Sequence, residues 1–250
     1  MSRYWVAALI LGSLAPTAPA GAFGEATAVE IRCVVVGNAT DPHTPEAARR
    51  LAWETRQRTS VDTELRSRAI RLDAAELFQS PLLYWRGDAA FAPLSEAEIV
   101  GLRRFLQFGG FLLIDDAAPD GNDGFDTSIR RALRRALPTS PLAPLSSGHV
   151  IYRSYYLVDR PVGRRRGPAS LEAVVLEERV AVAYGRHDFG GAWARDNLGN
   201  WLFNVAPGGD RQRELAIRFG VNVVMYALCL DYKDDQVHAP YIMRRRAGTP

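Results

Sequence analysis

Gly109-Gly110-Phe111-Leu112-Leu113-Ile114-Asp115-Asp116 decides how this chain folds. Two glycines open the run, apolar residues fill it and two carboxylates close it. An apolar stretch too short for a helix predicts a strand buried on both faces, the pattern of a parallel sheet covered by helices. In an open α/β sheet, ligands bind in the crevice beyond the carboxyl ends of the strands. Asp115 and Asp116 therefore fall where a nucleophile or a ligand contact would stand. Neighbours on an extended strand point to opposite faces, so the two cannot share a proton as a catalytic dyad would. One is expected to face the crevice and the other to brace a loop. Desolvation would raise the first toward the pKa of a general base; its alternative is a carboxylate hydrogen-bonded to backbone donors at a strand end.

Working outward, Ser95-Glu96-Ala97-Glu98 is a capping box, in which the serine oxygen and the glutamate three positions on satisfy each other's backbone donors. Ile99, Leu102, Phe105 and Leu106 form the buried stripe of the helix it opens, and Gly109 ends it. Before that helix, Pro81 to Trp85 reads as an apolar strand, with Arg86-Gly87-Asp88 as the turn at its end. Strand, helix and strand make a parallel βαβ unit, with a right-handed crossover. Val29 to Val36 is a further strand, Thr44-Pro45 caps a following helix, and a short strand is expected near Ala69 to Leu72.

Past the central strand, Asp126 is a candidate cap for a helix buried through Ile129, Ala132, Leu133, Ala136 and Leu137. Its Arg130, Arg131, Arg134 and Arg135 form the solvated face that an amphipathic helix needs. Pro138 to Ser147 and Gly163 to Pro168 read as loops, the second exposed with Arg164-Arg165-Arg166. Leu171 to Leu176 and Val180 to Tyr184 predict an antiparallel hairpin added at a sheet edge. Gly185 to Asp210, with Trp193 and Trp201, reads as one long loop, and loops of that length are usually functional or disordered. Asp210 caps a buried helix from Leu215 to Leu230, interrupted by Arg218, Gly220 and Asn222 and too short for lipid. Asp231 to Pro250 is expected as a surface tail.

A chain of 250 residues with 47% hydrophobic and 24% charged content supports one well-buried core and is neither disordered nor fibrous. The net charge of +3 comes almost wholly from arginine, Lys233 being the single lysine. These arginines are interleaved with acids, so the pattern does not favour a nucleic-acid partner. Arg3, the apolar run Val6 to Ala15 and the small-x-small Ala18-Pro19-Ala20 fit a secretory signal peptide over residues 1–20. Export to the periplasm, or secretion, is the expectation, with no stable membrane span after cleavage; an uncleaved N-terminal anchor is the alternative. Cys33 and Cys229 allow one disulfide or two buried thiols and match no metal or redox spacing.

Asp115, Asp116, Asp120, Asp123 and Asp126 offer hard oxygen ligands, but their spacing fits no calcium loop, and no metal is expected. No cofactor is expected either: the chain has no G-x-G-x-x-G and no phosphate loop of the G-x-x-x-x-G-K type. A G-x-S-x-G elbow is also missing, so serine hydrolase chemistry loses support. Polar candidates gathered at the expected strand ends are Asp88, Asp115, Asp116, Asp126, Arg130 and His149. His187, beside Asp188, is a further ligand or catalytic candidate.

The stretches L-L-Y-W-R-G-D (82–88), L-S-E-A-E-I-V-G-L-R-R-F-L-Q-F-G-G-F-L-L-I-D-D (94–116), G-F-D-T-S-I-R-R (124–131) and R-F-G-V-N-V-V-M-Y-A-L (218–228) resemble domain of unknown function 4159 of bacteria, over about residues 29–230. That family is similar in turn to the class I glutamine amidotransferase-like superfamily, which implies a flavodoxin-like three-layer sandwich. Active amidotransferases of that superfamily carry a cysteine at an elbow after this strand. Here Asp115 and Asp116 occupy that region and neither cysteine replaces it, so glutaminase activity is not expected. The sequence thus predicts an exported single-domain α/β protein with a mostly parallel sheet. The leading functional expectation is a non-catalytic module binding an envelope protein or glycan. The alternative is a hydrolase using a carboxylate or a metal-held water, with His149 or His187 carrying the proton.

Overall fold

The computed structural model describes residues 28–37, 41–118 and 122–247, with 229–247 described by their backbone alone. The expected signal segment, Asp120 and the side chains of Cys229 and His238 lie outside the described residues. Seven strands form one sheet: β1 (Ile31–Val35), β2 (Ala69–Arg71), β3 (Leu82–Gly87), β4 (Phe111–Asp116), β5 (Ala143–Pro144), β6 (Glu172–Leu176) and β7 (Arg179–Gly185). Their spatial order is β2-β1-β3-β4-β7-β6-β5. The first five in that order pair in parallel, and β6 and β5 follow antiparallel. The parallel part has the flavodoxin-like 2-1-3-4-5 order. The expected hairpin is present, but only β6 and β5 lie outside the parallel set. β7 is an inner strand paired with β4.

β4 is central and every one of its residues is buried. Phe111 and Leu113 pack into the layer of α1 (Thr44–Arg58), α4 (Phe189–Trp193) and α5 (Gly209–Ala247). Leu112 and Ile114 pack into the opposite layer, made by α2 (Glu96–Gln107) and α3 (Gly124–Ala136). The chain is therefore a three-layer α/β sandwich. Full burial of each of these four side chains contributes about 1.5–3 kcal/mol, which is why the octet anchors the sheet.

The capping box forms as the sequence predicts: Glu98 N–H donates to Ser95 Oγ at 3.2 Å and Ser95 N–H to Glu98 Oε2 at 2.8 Å. Ser95→Ala should cost about 1 kcal/mol in urea unfolding, the usual value of such a cap. Gly109, at φ +104°, leaves the helix through backbone space closed to other residues, and the chain turns into β4.

Other expectations need correction. Thr44 is the first residue of α1 and makes no side-chain cap; the proline after it sets the helix start. Asp126 does not cap α3, which begins at Gly124; it lies within the first turn, where its carboxylate is taken by Arg130 and Tyr184. The Pro138–Ser147 loop contains β5, whose proline is tolerated because the strand is an edge. The long Gly185–Asp210 loop contains α4, whose two glycines hide it from a propensity reading. α5 runs on to Ala247 across the expected tail: no glycine or proline interrupts it from Val221 to Ala239, and it continues past Pro240. Its buried Asn222 is engaged through both amide atoms, accepting from Tyr155 N–H (3.1 Å) and Tyr156 N–H (2.7 Å) and donating to Tyr156 O (2.8 Å). Among the described residues no helix is long and apolar enough to cross a membrane.

Candidate functional site

β1 leads off toward β2 on one side, whereas β3 leads to β4 on the other, so the chain reverses direction between β1 and β3. Side chains cannot fill the gap that opens beyond the carboxyl ends of two strands whose connections diverge, and ligands in such sheets bind there. A cleft of about 370 Å³ occupies this position. After β1 come Asp41, Pro42 and His43, and from the end of β3 come Arg86 and Asp88. The far wall carries Arg164, Arg165 and Phe203. His43 meets Phe203 edge-on with ring centres 5.0 Å apart, and Arg164 lies over the same ring at 5.1 Å.

Under the cleft floor sits a buried charge cluster built around Arg86. β3 and β4 bring Arg86 and Asp115 into register as neighbours. Arg86 Nη2 donates to Asp188 Oδ1 at 2.9 Å, Nη1 donates to Asp41, and Nε stands 3.7 Å from Asp115 Oδ2. Arg164 pairs with Asp188 from the other side. Burial works against the Arg86 charge, but the Asp188, Asp115 and Asp41 carboxylates more than offset it and hold its pKa above the ordinary arginine value.

Asp115 is wholly buried and its oxygens are occupied. It accepts from Tyr84 Oη at 2.7 Å and from the Phe189 and Gly190 backbone N–H groups, each at 2.8 Å. The last two are opening donors of α4, so a strand residue supplies part of that helix's cap. Asp188 supplies the rest by accepting from Gly191 N–H at 2.9 Å, and it does so at φ +51°, a left-handed conformation that aspartate tolerates better than most residues. Gly190 has to be glycine because a Cβ there would lie 2.4 Å from Tyr84 Oη. Burial, reinforced by the Asp188 charge, pushes Asp115 up to about 7.

Asp116 turns to the other helical layer, as alternation demands. It accepts from Ala118 N–H at 3.0 Å and Tyr184 Oη at 3.3 Å, with Arg186 Nε at 3.3 Å. Burial raises its pKa against the pull of Ala118 N–H and Arg186. The single Tyr184 hydroxyl hydrogen is shared with Asp126, the nearer acceptor at 2.8 Å; Asp126 holds Arg130, and Arg130 reaches Glu172 at 3.0 Å. Despite burial, Arg130 and Tyr184 hold Asp126 below the usual carboxylate range. Asp116, Asp126 and Arg130 thus form one network that ties α3 to the sheet, and none of them lines the cleft.

Of the other sequence candidates, Asp88 is on the cleft wall and exposed. His149 is elsewhere: its ring packs on Tyr226, whose Oη accepts from Val180 N–H at the amino end of β7, across the sheet from the cleft. His187 is buried, stacked on Phe189 with ring centres 5.3 Å apart, and joined through Nε2 to Pro168 O at 2.9 Å. Burial lowers its pKa to about 4, so it is a neutral donor to that carbonyl. The Gly163–Pro168 loop is exposed only in part: Arg166 to Pro168 are exposed, whereas Arg164 is drawn inward by Asp188. Cys33 is a buried free thiol 2.8 Å from Ser67 Oγ, and burial pushes it up to about 11. Among the described residues, no three His, Cys, Asp or Glu side chains converge in a way that could hold a metal ion.

Cleft, charge cluster and α3 network all fall within residues 29–228, where the chain matches a family described as a domain of unknown function, DUF4159. The chain belongs to the DUF4159 family. No curated protein matches it. The matched stretch covers the cleft lining from Asp41 to Phe203, so the cleft is part of the family domain. Asp41, Arg86, Arg164, Arg165 and Phe203 were not among the sequence candidates. One signal was available for Arg86: a charged residue closing an otherwise apolar strand, next to a strand closing in aspartate.

Proposed function

We propose that this DUF4159 chain is an exported, non-catalytic module whose switch-point cleft binds a polar ligand or partner segment of the cell envelope. The observation that carries this reading is the cleft itself, at the reversal between β1 and β3 and lined by guanidinium, carboxylate, imidazole and phenyl groups. Such a mixture suits a ligand with several hydrogen-bonding groups and one apolar face. Among the described residues, the lining holds no serine, threonine or cysteine that could act as a nucleophile. Asp115, the carboxylate at the elbow position, spends its lone pairs on Tyr84 and the start of α4, which supports a structural role over a hydrolytic one. Export rests on Arg3, the apolar Val6–Ala15 run and Ala18-Pro19-Ala20.

The test is a thermal-shift screen of the mature chain against muropeptides, envelope glycans and short peptides, with His43→Ala and Asp88→Asn in parallel. A true ligand near saturation should raise Tm by about 5 °C or more, and both variants should blunt the shift. A hit indifferent to both substitutions would move the binding site away from the cleft. Mass analysis of the chain purified from an exporting host should find an N-terminus near Gly21.

A further inference from the structure

Where α1, α4 and the start of α5 meet, Trp201 gathers arginines that the cleft does not use. The guanidinium carbons of Arg195, Arg213 and Arg50 stand 3.7, 4.1 and 5.6 Å from its ring centre. Stacking on an indole attracts a cation but leaves its charge uncompensated. Arg213 is 6% exposed, and its Nη groups donate only to the neutral carbonyls of Ala192 (2.7 Å) and Phe203 (2.6 Å). Asp210 acts on it through space alone. Arg195 has no hydrogen-bond or ion-pair partner among the described residues. Only Arg50 meets an acid, Glu54, and that carboxylate also receives Arg58 at 2.7 Å. Glu214 is likewise taken, by Arg58 and Arg218, each at 2.8 Å.

The Nε atoms of Arg50, Arg195 and Arg213 are all buried without an acceptor. Buried donors are nearly always satisfied, and buried charges are nearly always paired. Burial lowers the pKa of both Arg50 and Arg213, and the Arg195 charge adds to it in each case. An anion at this point would relieve all three groups together. Two guanidinium charges without a carboxylate match a dianion better than a monoanion, and the planar fork of arginine suits phosphate oxygens.

We propose that Arg195, Arg213 and Arg50, gathered on Trp201, form a binding site for a phosphate group, separate from the switch-point cleft. The phosphate is either inorganic or the monoester end of a larger molecule. The long Trp-containing segment between β7 and α5 that carries Arg195 and Trp201 thereby acquires a role of its own.

The experiment titrates the folded chain with inorganic phosphate, and separately with glycerol phosphate, at constant ionic strength set with chloride. Tryptophan fluorescence and calorimetry follow binding. Saturable binding is expected, weakened about tenfold or more in Arg195→Gln, the loss of one charge-assisted contact. Arg195→Lys should fall between the two, since it keeps the charge and loses the fork; it also carries the comparison if the glutamine variant folds poorly. Tighter binding of glycerol phosphate would identify a monoester ligand, and equal binding inorganic phosphate; either supports the site. Three results would overturn it: a response that chloride reproduces, unchanged affinity in both Arg195 variants, or binding abolished by Arg165→Gln, which would assign the anion to the cleft.

Discussion

Arg86→Met should destabilise the chain by about 3–5 kcal/mol, the usual result of leaving buried charges without their partner. Methionine keeps most of the apolar stem, so the loss reports charge more than packing. Removal of the guanidinium leaves Asp41, Asp115 and Asp188 together in a buried site, with Arg164 touching only Asp188. The damage should spread to α4, because its opening turn is held by Asp115 and Asp188. Urea unfolding at pH 7 measures the cost, and repeating it near pH 4 should find a smaller one, since burial raises Asp115 and its protonation over that range removes one of the three like charges. A loss within about 1 kcal/mol of wild type would mean that the cluster is not organised by Arg86.

The fold was legible because β4 and its flanks agree at every level. A buried apolar run, a capping box and a glycine exit each point to one parallel βαβ unit, and sequence neighbours carry all three signals. Alternation on β4 was legible too, and it separates Asp115 from Asp116 onto opposite helical layers. What failed was the grouping. Asp126 and Arg130 stand near the strand ends in sequence order, but α3 carries them to the far layer, where Tyr184 and Glu172 take them up. His149 was drawn in by its polar surroundings, and its real neighbour, Tyr226, lies 77 positions on along the chain at the other end of the sheet.

The cleft wall was largely hidden for the same reason. Arg86 and Asp188 are 102 positions apart, and their meeting depends on β7 lying beside β4, a pairing that no local pattern announces. α4 escaped notice because its stability is tertiary: F-G-G-A-W has little helix propensity, and two buried carboxylates fix its first turn. Asp115 therefore has the location the sequence indicated, at the mouth of the sheet, but its work is internal. The groups that face the cleft come from segments just past the strands.

Asp115→Asn and His187→Gln should tilt the pH dependence of stability in opposite directions. Asp115 has its pKa raised from 3.8 to about 7 in the folded chain, so the fold holds a proton that the unfolded chain has released. That contribution is complete below about 4 and disappears as the pH rises through about 7. His187 is shifted the other way, from 6.5 to about 4, so its contribution is present above 6.5 and is lost as the pH falls through about 4. Each has a limiting slope of about 1.4 kcal/mol per pH unit, and over the shared window they oppose one another in the wild type. Asparagine does not titrate and removes the first slope; its Nδ2 cannot accept as a carboxyl oxygen does from Phe189 N–H and Gly190 N–H, which adds a cost that is the same at every pH. Asp115→Asn should therefore lose ground to wild type steadily on acidification from pH 7 to pH 4. Glutamine keeps a donor for Pro168 O without titrating, so His187→Gln should gain ground over the same range. Urea unfolding of the three proteins at intervals of half a pH unit decides it, and parallel curves for wild type and Asp115→Asn would show that Asp115 keeps its charge in the folded chain.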